Sequence, residues 1–150
     1  MKSGEFCPNM IKQSVDWVSE QGRLRNAGQP NAIDPFLENT VSAKMDTGDF
    51  MFYYADIFVE SVQYGNRTLL CNTLKALSAV GATQQEIFRA MTKFGSDIPG
   101  VNPPDYDANI IAIPVADPFG WARPWTYQYC TEYGWFQTPS QLHPMRSEML

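Results

Sequence analysis

The sequence predicts a mainly α-helical chain whose last third has a different organisation. Three observations support this prediction. Apolar residues recur at helical spacing over the first 95 positions, glycines fall where helices should end, and eight of the 11 prolines lie from Pro99 onward. Because proline lacks a backbone N–H, it disrupts helix interiors and central strands alike. The chain therefore divides near residue 95 into a helical part and a proline-rich part.

Two helices are expected before residue 45. Pro8 suits a first helical position, and Gly22 is the expected end of the first helix. Apolar residues at helical spacing lie between them: Ile11, Val15 and Val18. Residues 28–30 (Gly-Gln-Pro) read as a linker, and a short second helix is predicted over residues 33–41.

The third predicted helix is the most apolar part of the chain. Asp46 or Thr47 can cap its start, and the helix should run to Gln63 and end at Gly65. Apolar residues lie around almost its whole circumference: Phe50, Met51, Phe52, Tyr53, Tyr54, Ile57, Phe58 and Val62. A helix with this pattern is usually the central one of a bundle.

Two further helices complete the predicted bundle. Leucines mark the fourth helix, which Gly81 should close: Leu69, Leu70, Leu74 and Leu77. Thr83-Gln84-Gln85-Glu86 has the pattern of a capping box, in which two side chains satisfy each other's free backbone donors. The fifth helix should follow this box through Phe94, with Gly95 as its stop.

The proline-rich part predicts strand and packed loop. Residues Asn109 to Val115 (NIIAIPV) form a short apolar run that reads as a strand, although Pro114 weakens its end. Residues 119–136 contain eight aromatic side chains. We expect this aromatic stretch to form strand and packed loop.

Composition excludes several classes of protein. The chain has 150 residues with 11 Lys and Arg against 16 Asp and Glu, so its net charge is −5. This acidic balance argues against nucleic-acid binding, and no polybasic membrane patch is present. The sequence contains no run of 18 apolar residues, so no membrane span is expected. The N-terminus also lacks the apolar region of a signal peptide.

No complete catalytic or metal-binding motif is found. The Gly-x-Ser-x-Gly pentad of hydrolases is absent, and His143 is the only histidine. The three cysteines, Cys7, Cys71 and Cys130, are scattered singly, so neither a metal nor another cofactor is expected. The odd number fits three buried thiols, or disulfides with one partner elsewhere. Asn66-Arg67-Thr68 is an N-glycosylation sequon between two predicted helices.

The segment from Arg123 to Thr138 (RPWTYQYCTEYGWFQT) resembles a known signature. It is similar to the pattern W-x-Y-Q-x-C-T-E-x-G-x-F-Q-T of the serine exopeptidase family that contains lysosomal Pro-X carboxypeptidase, dipeptidyl peptidase II and thymus-specific serine protease. Weaker resemblances to the same family lie at residues 6–11 (FCPNMI), 49–56 with 62–65, and 70–74 (LCNTL). Together they extend over nearly the whole chain.

The resemblance implies a fragment of an α/β-hydrolase. Residues 1–95 would be the helical cap domain inserted after the nucleophile, and residues 96–150 the return into the hydrolase core with one or two strands. The catalytic serine would precede Met1, and the aspartate and histidine would follow Leu150. No catalytic residue can be assigned in this chain, and His143 does not match the family's catalytic histidine.

The resemblance also implies roles for individual residues. Cys7 would be disulfide-bonded to Cys71, and Cys130 to a cysteine beyond Leu150. Asn66 would be glycosylated in a secreted or lysosomal protein. Four residues would line the pocket or pack in the core near it: Trp125, Tyr127, Gln128 and Glu132.

Three functional interpretations follow. The first is a segment of a serine carboxypeptidase or dipeptidyl peptidase that acts on peptide substrates and is inactive by itself. The second is a stand-alone helical interaction module, and the third is a degenerate pseudoenzyme. The fragment interpretation expects residues 96–150 to be extended or poorly packed, because their sheet partners would lie outside the chain. The oligomeric state cannot be inferred.

Overall fold

The computed structural model describes residues 4–113 and 122–133. They form seven α-helices: α1 (Phe6–Asn26), α2 (Ile33–Leu37), α3 (Thr47–Gln63), α4 (Arg67–Ala79), α5 (Gln84–Ser96), α6 (Ala108–Ile111) and α7 (Ala122–Gln128). A 3-10 turn, Pro103–Asp105, precedes α6, and a π-helical turn, Tyr129–Tyr133, follows α7. Within these two ranges there is no strand, and no helix is long and apolar enough to cross a membrane. The prediction of a mainly helical chain is confirmed.

Helix α3 lies at the centre of the bundle, where α1, α4 and α5 pack against it. Its core side chains are almost fully buried: Phe50, Met51, Tyr53, Tyr54, Ile57 and Phe58. Phe36 of α2 and Phe88 of α5 join the α3 rings in a cluster whose neighbouring centroids are 5.6 to 6.5 Å apart. The pairs are stacked, tilted or edge-on, and such ring pairs add to the free energy gained by burying the rings. The sequence prediction of a central third helix is therefore confirmed.

The helix ends confirm some predicted glycine stops. Gly81 has a φ of +71°, and its N–H donates to the carbonyl of Ser78 while that of Ala82 donates to Leu77. This is the hydrogen-bond pattern of a Schellman cap, in which a left-handed residue closes the helix. The capping box is also present, because Thr83 and Glu86 bond each other's backbone N–H groups.

Two other predicted stops are wrong, because those glycines lie inside helices. Helix α1 continues past the buried Gly22 and ends in a Schellman turn at Gly28, which has a φ of +67°. Gly95 lies within α5 and faces Ile57 of α3. A Cβ atom at position 95 would be 2.8 Å from Cγ1 of Ile57, so the glycine permits close packing of α5 on α3. The second helix also ends earlier than expected, at Leu37.

The predicted strand from Asn109 to Val115 is wrong over its first part, which is helical. Residues Ala108–Ile111 form α6, and the side chain of Asp107 caps this short helix by accepting from the N–H of Asn109 at 3.0 Å. An apolar run this short has no periodicity that distinguishes a strand from a helix. The side-chain cap supplied by Asp107 favours the helix here. Residues 114 and 115 lie outside the described part of the chain.

The expectation of strand and loop for residues 119–136 is also corrected where the structure describes them. Residues 122–133 form α7 and the π-helical turn, and the guanidinium of Arg123 donates to the carbonyl of Ile113. A strand needs a neighbouring strand to pair its backbone groups, whereas a helix satisfies them internally. In the absence of a described sheet, helix is the conformation that pairs these groups.

The packed unit extends beyond residue 95. Ile98, Val101 and Tyr106 are buried in the same core as the helices before them. Residues 98–106 are therefore not poorly packed, contrary to the expectation from the fragment interpretation. The division of the chain near residue 95 stays a prediction.

The contact between α3 and α5 generates a test of stability. Replacing Gly95 by alanine should lower the free energy of unfolding by about 1–3 kcal/mol, because the new methyl group overlaps the buried side chain of Ile57. Urea unfolding followed by circular dichroism measures the change. Gly48→Ala is the matched control, because Gly48 is also helical but exposed and has no atom within 4 Å of the new Cβ. Equal unfolding midpoints for the two variants would contradict the prediction.

Candidate functional site

A disulfide joins the start of α1 to α4. Cys7 lies in the first turn of α1 and is 3% exposed, and Cys71 lies in the second turn of α4. The two Cα atoms are 5.4 Å apart, which is normal for a disulfide. This is the pair that the resemblance implies. The bond closes a loop of 64 residues that contains α2 and α3 and most of α1.

The sequon asparagine lies at the head of α4, close to this disulfide in sequence. Asn66 is the residue before the first turn of α4, and its side chain is half-buried. Its amide does not cap the helix, although many asparagines at this position do. The neighbouring Gly65, with a φ of +90°, turns the chain between α3 and α4. The turn therefore presents Asn66 at an end of the bundle.

The four residues assigned to a pocket lie outside the bundle core. Trp125 is 41% exposed and Tyr127 is 65% exposed, and Gln128 and Glu132 are exposed as well. The ring of Trp125 lies edge-on to that of Tyr129, with centroids 6.2 Å apart. These side chains line no part of the core formed by residues 4–113. A pocket role within a longer enzyme stays a prediction.

Cys130 lies in the π-helical turn with an exposed, unpaired thiol. A partner beyond Leu150 stays a prediction. His143, and the part of the signature from residue 134 to 138, lie outside the described residues. The structure therefore brings together Cys7 and Cys71 of the predicted site residues.

An acidic joint that the sequence did not predict connects α3 to residues 103–109 through Asp49 and Asp56. The hydroxyl of Tyr106 donates to Asp56 over 2.7 Å, and the N–H of Ala108 donates to Asp49 over 2.8 Å. Asp49 and Asp56 lie seven residues apart and hence on one face of α3. The ring of Tyr106 also contacts Phe52 and Tyr53, with centroids 5.3 and 5.8 Å away. The signal was available, because carboxylates inside an otherwise apolar helix need a partner.

Burial is the main cause of raised pKa values among the carboxyl groups of α3 at this joint. Removal from water raises the pKa of Asp56, and the hydrogen bond from Tyr106 only partly offsets this effect. The pKa of Asp49 is raised mainly by burial and further by the charges of Asp46 and Asp107, although the bond from Ala108 opposes both. Burial and the charge of Asp56 raise the pKa of Glu60. Within residues 4–113 and 122–133, no group of three or more His, Cys, Asp or Glu side chains is arranged to hold a metal ion.

The disulfide should make a large contribution to stability. The double variant Cys7→Ser/Cys71→Ser should lose up to about 4 kcal/mol of unfolding free energy, because its unfolded chain is no longer restrained by the closed loop. Urea unfolding of the oxidised proteins measures the loss. Cys130→Ser is the control and should unfold like the parent, since that thiol is exposed and unpaired. Coincident curves for the double variant and this control would show that the crosslink does not stabilise the fold.

The position of Asn66 predicts a single glycan when the chain passes through a secretory pathway. Expression behind a signal peptide should give a species that an endoglycosidase reduces in mass, and Asn66→Gln should abolish the shift. Thr68→Ser keeps the sequon and should retain the glycan. An unmodified asparagine in the secreted parent chain would contradict the prediction.

Comparison with known proteins adds no relative to these observations. No protein-family model, curated protein or solved structure matches this chain.

Proposed function

We propose that this chain is the helical cap, with the segment that follows it, of a serine-type exopeptidase of the carboxypeptidase and dipeptidyl peptidase kind. In this proposal the catalytic serine, aspartate and histidine are supplied by sequence outside residues 1–150, and the complete enzyme is secreted or lysosomal. Its substrates are peptides cleaved close to a chain end.

The observation that carries the proposal is the bond between Cys7 and Cys71. These cysteines belong to two separate stretches of resemblance, residues 6–11 and 70–74, and the family implied by those stretches pairs them. Helices α1 and α4 pack against each other, and this packing places the cysteines of the two stretches within bonding distance. The signature from Trp125 to Thr138 supports the same family independently.

The proposed role of the bundle is to limit which peptides reach the active site. A helical wall over a pocket admits a chain end and excludes the middle of a long polypeptide. In this proposal the exposed side chains of Trp125 and Tyr127 are covered by the rest of the enzyme.

A stand-alone helical interaction module is the second candidate. One observation favours it, namely that Ile98, Val101 and Tyr106 complete a shared core with the helices before them. A bundle that closes its own core needs no sheet beneath it. The two candidates differ in the protein sequence that they expect on either side of residues 1–150. Only the peptidase requires a Gly-x-Ser-x-Gly pentad before residue 1 and a late histidine after residue 150.

The peptidase proposal is tested with a fluorophosphonate probe, which labels an activated serine. The 150-residue chain should not be labelled, since removing one triad member alone costs about 10⁴ to 10⁶ in kcat. The complete product of the gene should be labelled, and replacing the serine of its pentad by alanine should abolish labelling. A complete product without the pentad, or one that contains it but neither reacts with the probe nor cleaves proline-containing peptides, would refute the proposal.

A further inference from the structure

Carboxylates face each other across the joint between α3 and the segment that follows α5. Asp46 precedes α3, and Asp49, Asp56 and Glu60 lie along it. On the opposite side Asp105 and Asp107 are 7% and 2% exposed, and Asp56 is 9% exposed. Asp56, Asp105 and Asp107 are thus largely shielded from water, and burial disfavours the charged form of the Asp56 carboxyl.

The joint is closed by hydrogen bonds that end on the α3 carboxylates. Tyr106 donates to Asp56, and the backbone of Ala108 donates to Asp49. A third bond, from the side chain of Asn109 to the carbonyl of Lys44, is 3.3 Å long. The attachment of residues 98–111 therefore involves these two carboxylates as well as the burial of Ile98, Val101 and Tyr106 in the core.

The charges that act on the joint are mostly of one sign. Asp46 and Asp107 act on Asp49, and Asp56 acts on Glu60; all three raise a pKa together with burial. Burial, and then the charges of Asp56, Glu60 and Asp105, raise the pKa of the Tyr106 hydroxyl, so this group stays protonated and remains a donor. Asn102 bonds Asp105 over 3.3 Å.

Two cationic residues lie near the start of α3, namely Arg25 near the end of α1 and Lys44 in the loop before α3. Arg25 of α1 is engaged by the carboxylate of Asp34 and the carbonyl of Met45. Lys44 meets the joint through its backbone carbonyl. Neither is among the groups that shift the pKa values of Asp49, Asp56 or Glu60.

We propose that residues 98–111 form a pH-sensitive latch on α3, which is held most firmly in acid and loosens as the pH rises above the ordinary carboxyl range. The sign follows from the direction of the shifts. When a carboxyl has a higher pKa in the latched state than in the released state, protons bind the latched state more tightly. The added stability is complete below the ordinary carboxyl pKa and is lost as the pH rises through the raised one. This proposal is independent of any peptidase activity.

Hydrogen exchange on the full 150-residue chain, corrected for the intrinsic effect of pH, tests the latch. Protection of the amides of Val101, Tyr106 and Ala108 should fall several-fold between pH 4 and pH 8 relative to amides inside α4. Each carboxyl whose pKa differs by one unit between the two states changes the equilibrium by about tenfold. A protection ratio that does not change with pH would overturn the proposal.

Charge-removing variants identify the responsible groups. Asp56→Asn keeps an acceptor for Tyr106 but loses the charge, so the pH dependence should shrink, and Asp49→Asn/Asp56→Asn should nearly abolish it. Asp97→Asn is the control, because Asp97 is an exposed aspartate just after α5 and outside the joint. An unchanged pH dependence in the double variant would show that other groups are responsible and would overturn the assignment.

Carboxyl titration by NMR gives an answer even if these variants fail to fold. In the parent chain Asp49 and Asp56 should titrate above the ordinary aspartate range. In Tyr106→Phe the midpoint of Asp56 should rise further, because the bond that lowers its pKa is lost. Titration of both carboxyls at or below the ordinary range would overturn the latch.

Discussion

The fold depends on the burial of α3. This helix exposes little of its circumference, so every neighbouring element is placed where it covers part of that surface. Helices α1, α4 and α5 cover three sides, and Phe36 of α2 closes the ring cluster. The remaining side, which includes Phe52, is covered by Tyr106. Because apolar burial is the dominant favourable term in folding, this one helix organises the rest of the bundle.

Three polar side chains at the edge of this core, those of Ser14, Tyr54 and Arg25, have specific partners. The hydroxyl of Tyr54 is fully buried and lies 2.7 Å from that of Ser14 on α1. Arg25, near the end of α1, bonds Asp34 of α2 and the carbonyl of Met45 before α3. The contacts of Arg25 connect the end of α1 to the starts of α2 and α3. Each hydrogen bond also avoids the penalty of about 1–3 kcal/mol for an unpaired buried polar group.

Local sequence rules predicted the features that local physics controls. Capping at Thr83 and the left-handed turn at Gly81 depend only on neighbouring residues, and both were foreseen. The predicted helix stop at Gly95 is wrong, because the sequence cannot distinguish a glycine that ends a helix from one that permits close packing. Only the position of Ile57 in the fold shows that Gly95 has the second role. The conformation of residues 109–111 likewise depends on the cap at Asp107 and on the lack of a strand partner in the described chain.

The candidate site was less predictable than the fold. The pairing of Cys7 with Cys71 came from a resemblance and not from spacing, because three cysteines allow several pairings. The acidic joint could have been anticipated in part, since Asp49 and Asp56 interrupt an apolar helix on one face. Its partner could not, because the Tyr106 hydroxyl is 50 positions away in sequence from Asp56. Contacts of that separation are set by how the chain folds back on itself.

The covalent link between α1 and α4 also has a mechanical consequence. If the chain is pulled at its two ends, tension enters at Cys7, crosses the disulfide and leaves through Cys71, so the residues between them carry no load. About 200 Å of contour length is withheld from extension in this way, at roughly 3.4 Å per residue. Force would unravel α5 and the segments after it while α2 and α3 stayed relaxed inside the loop. A single-molecule extension curve would report this bypass as a contour length shorter than the sequence allows.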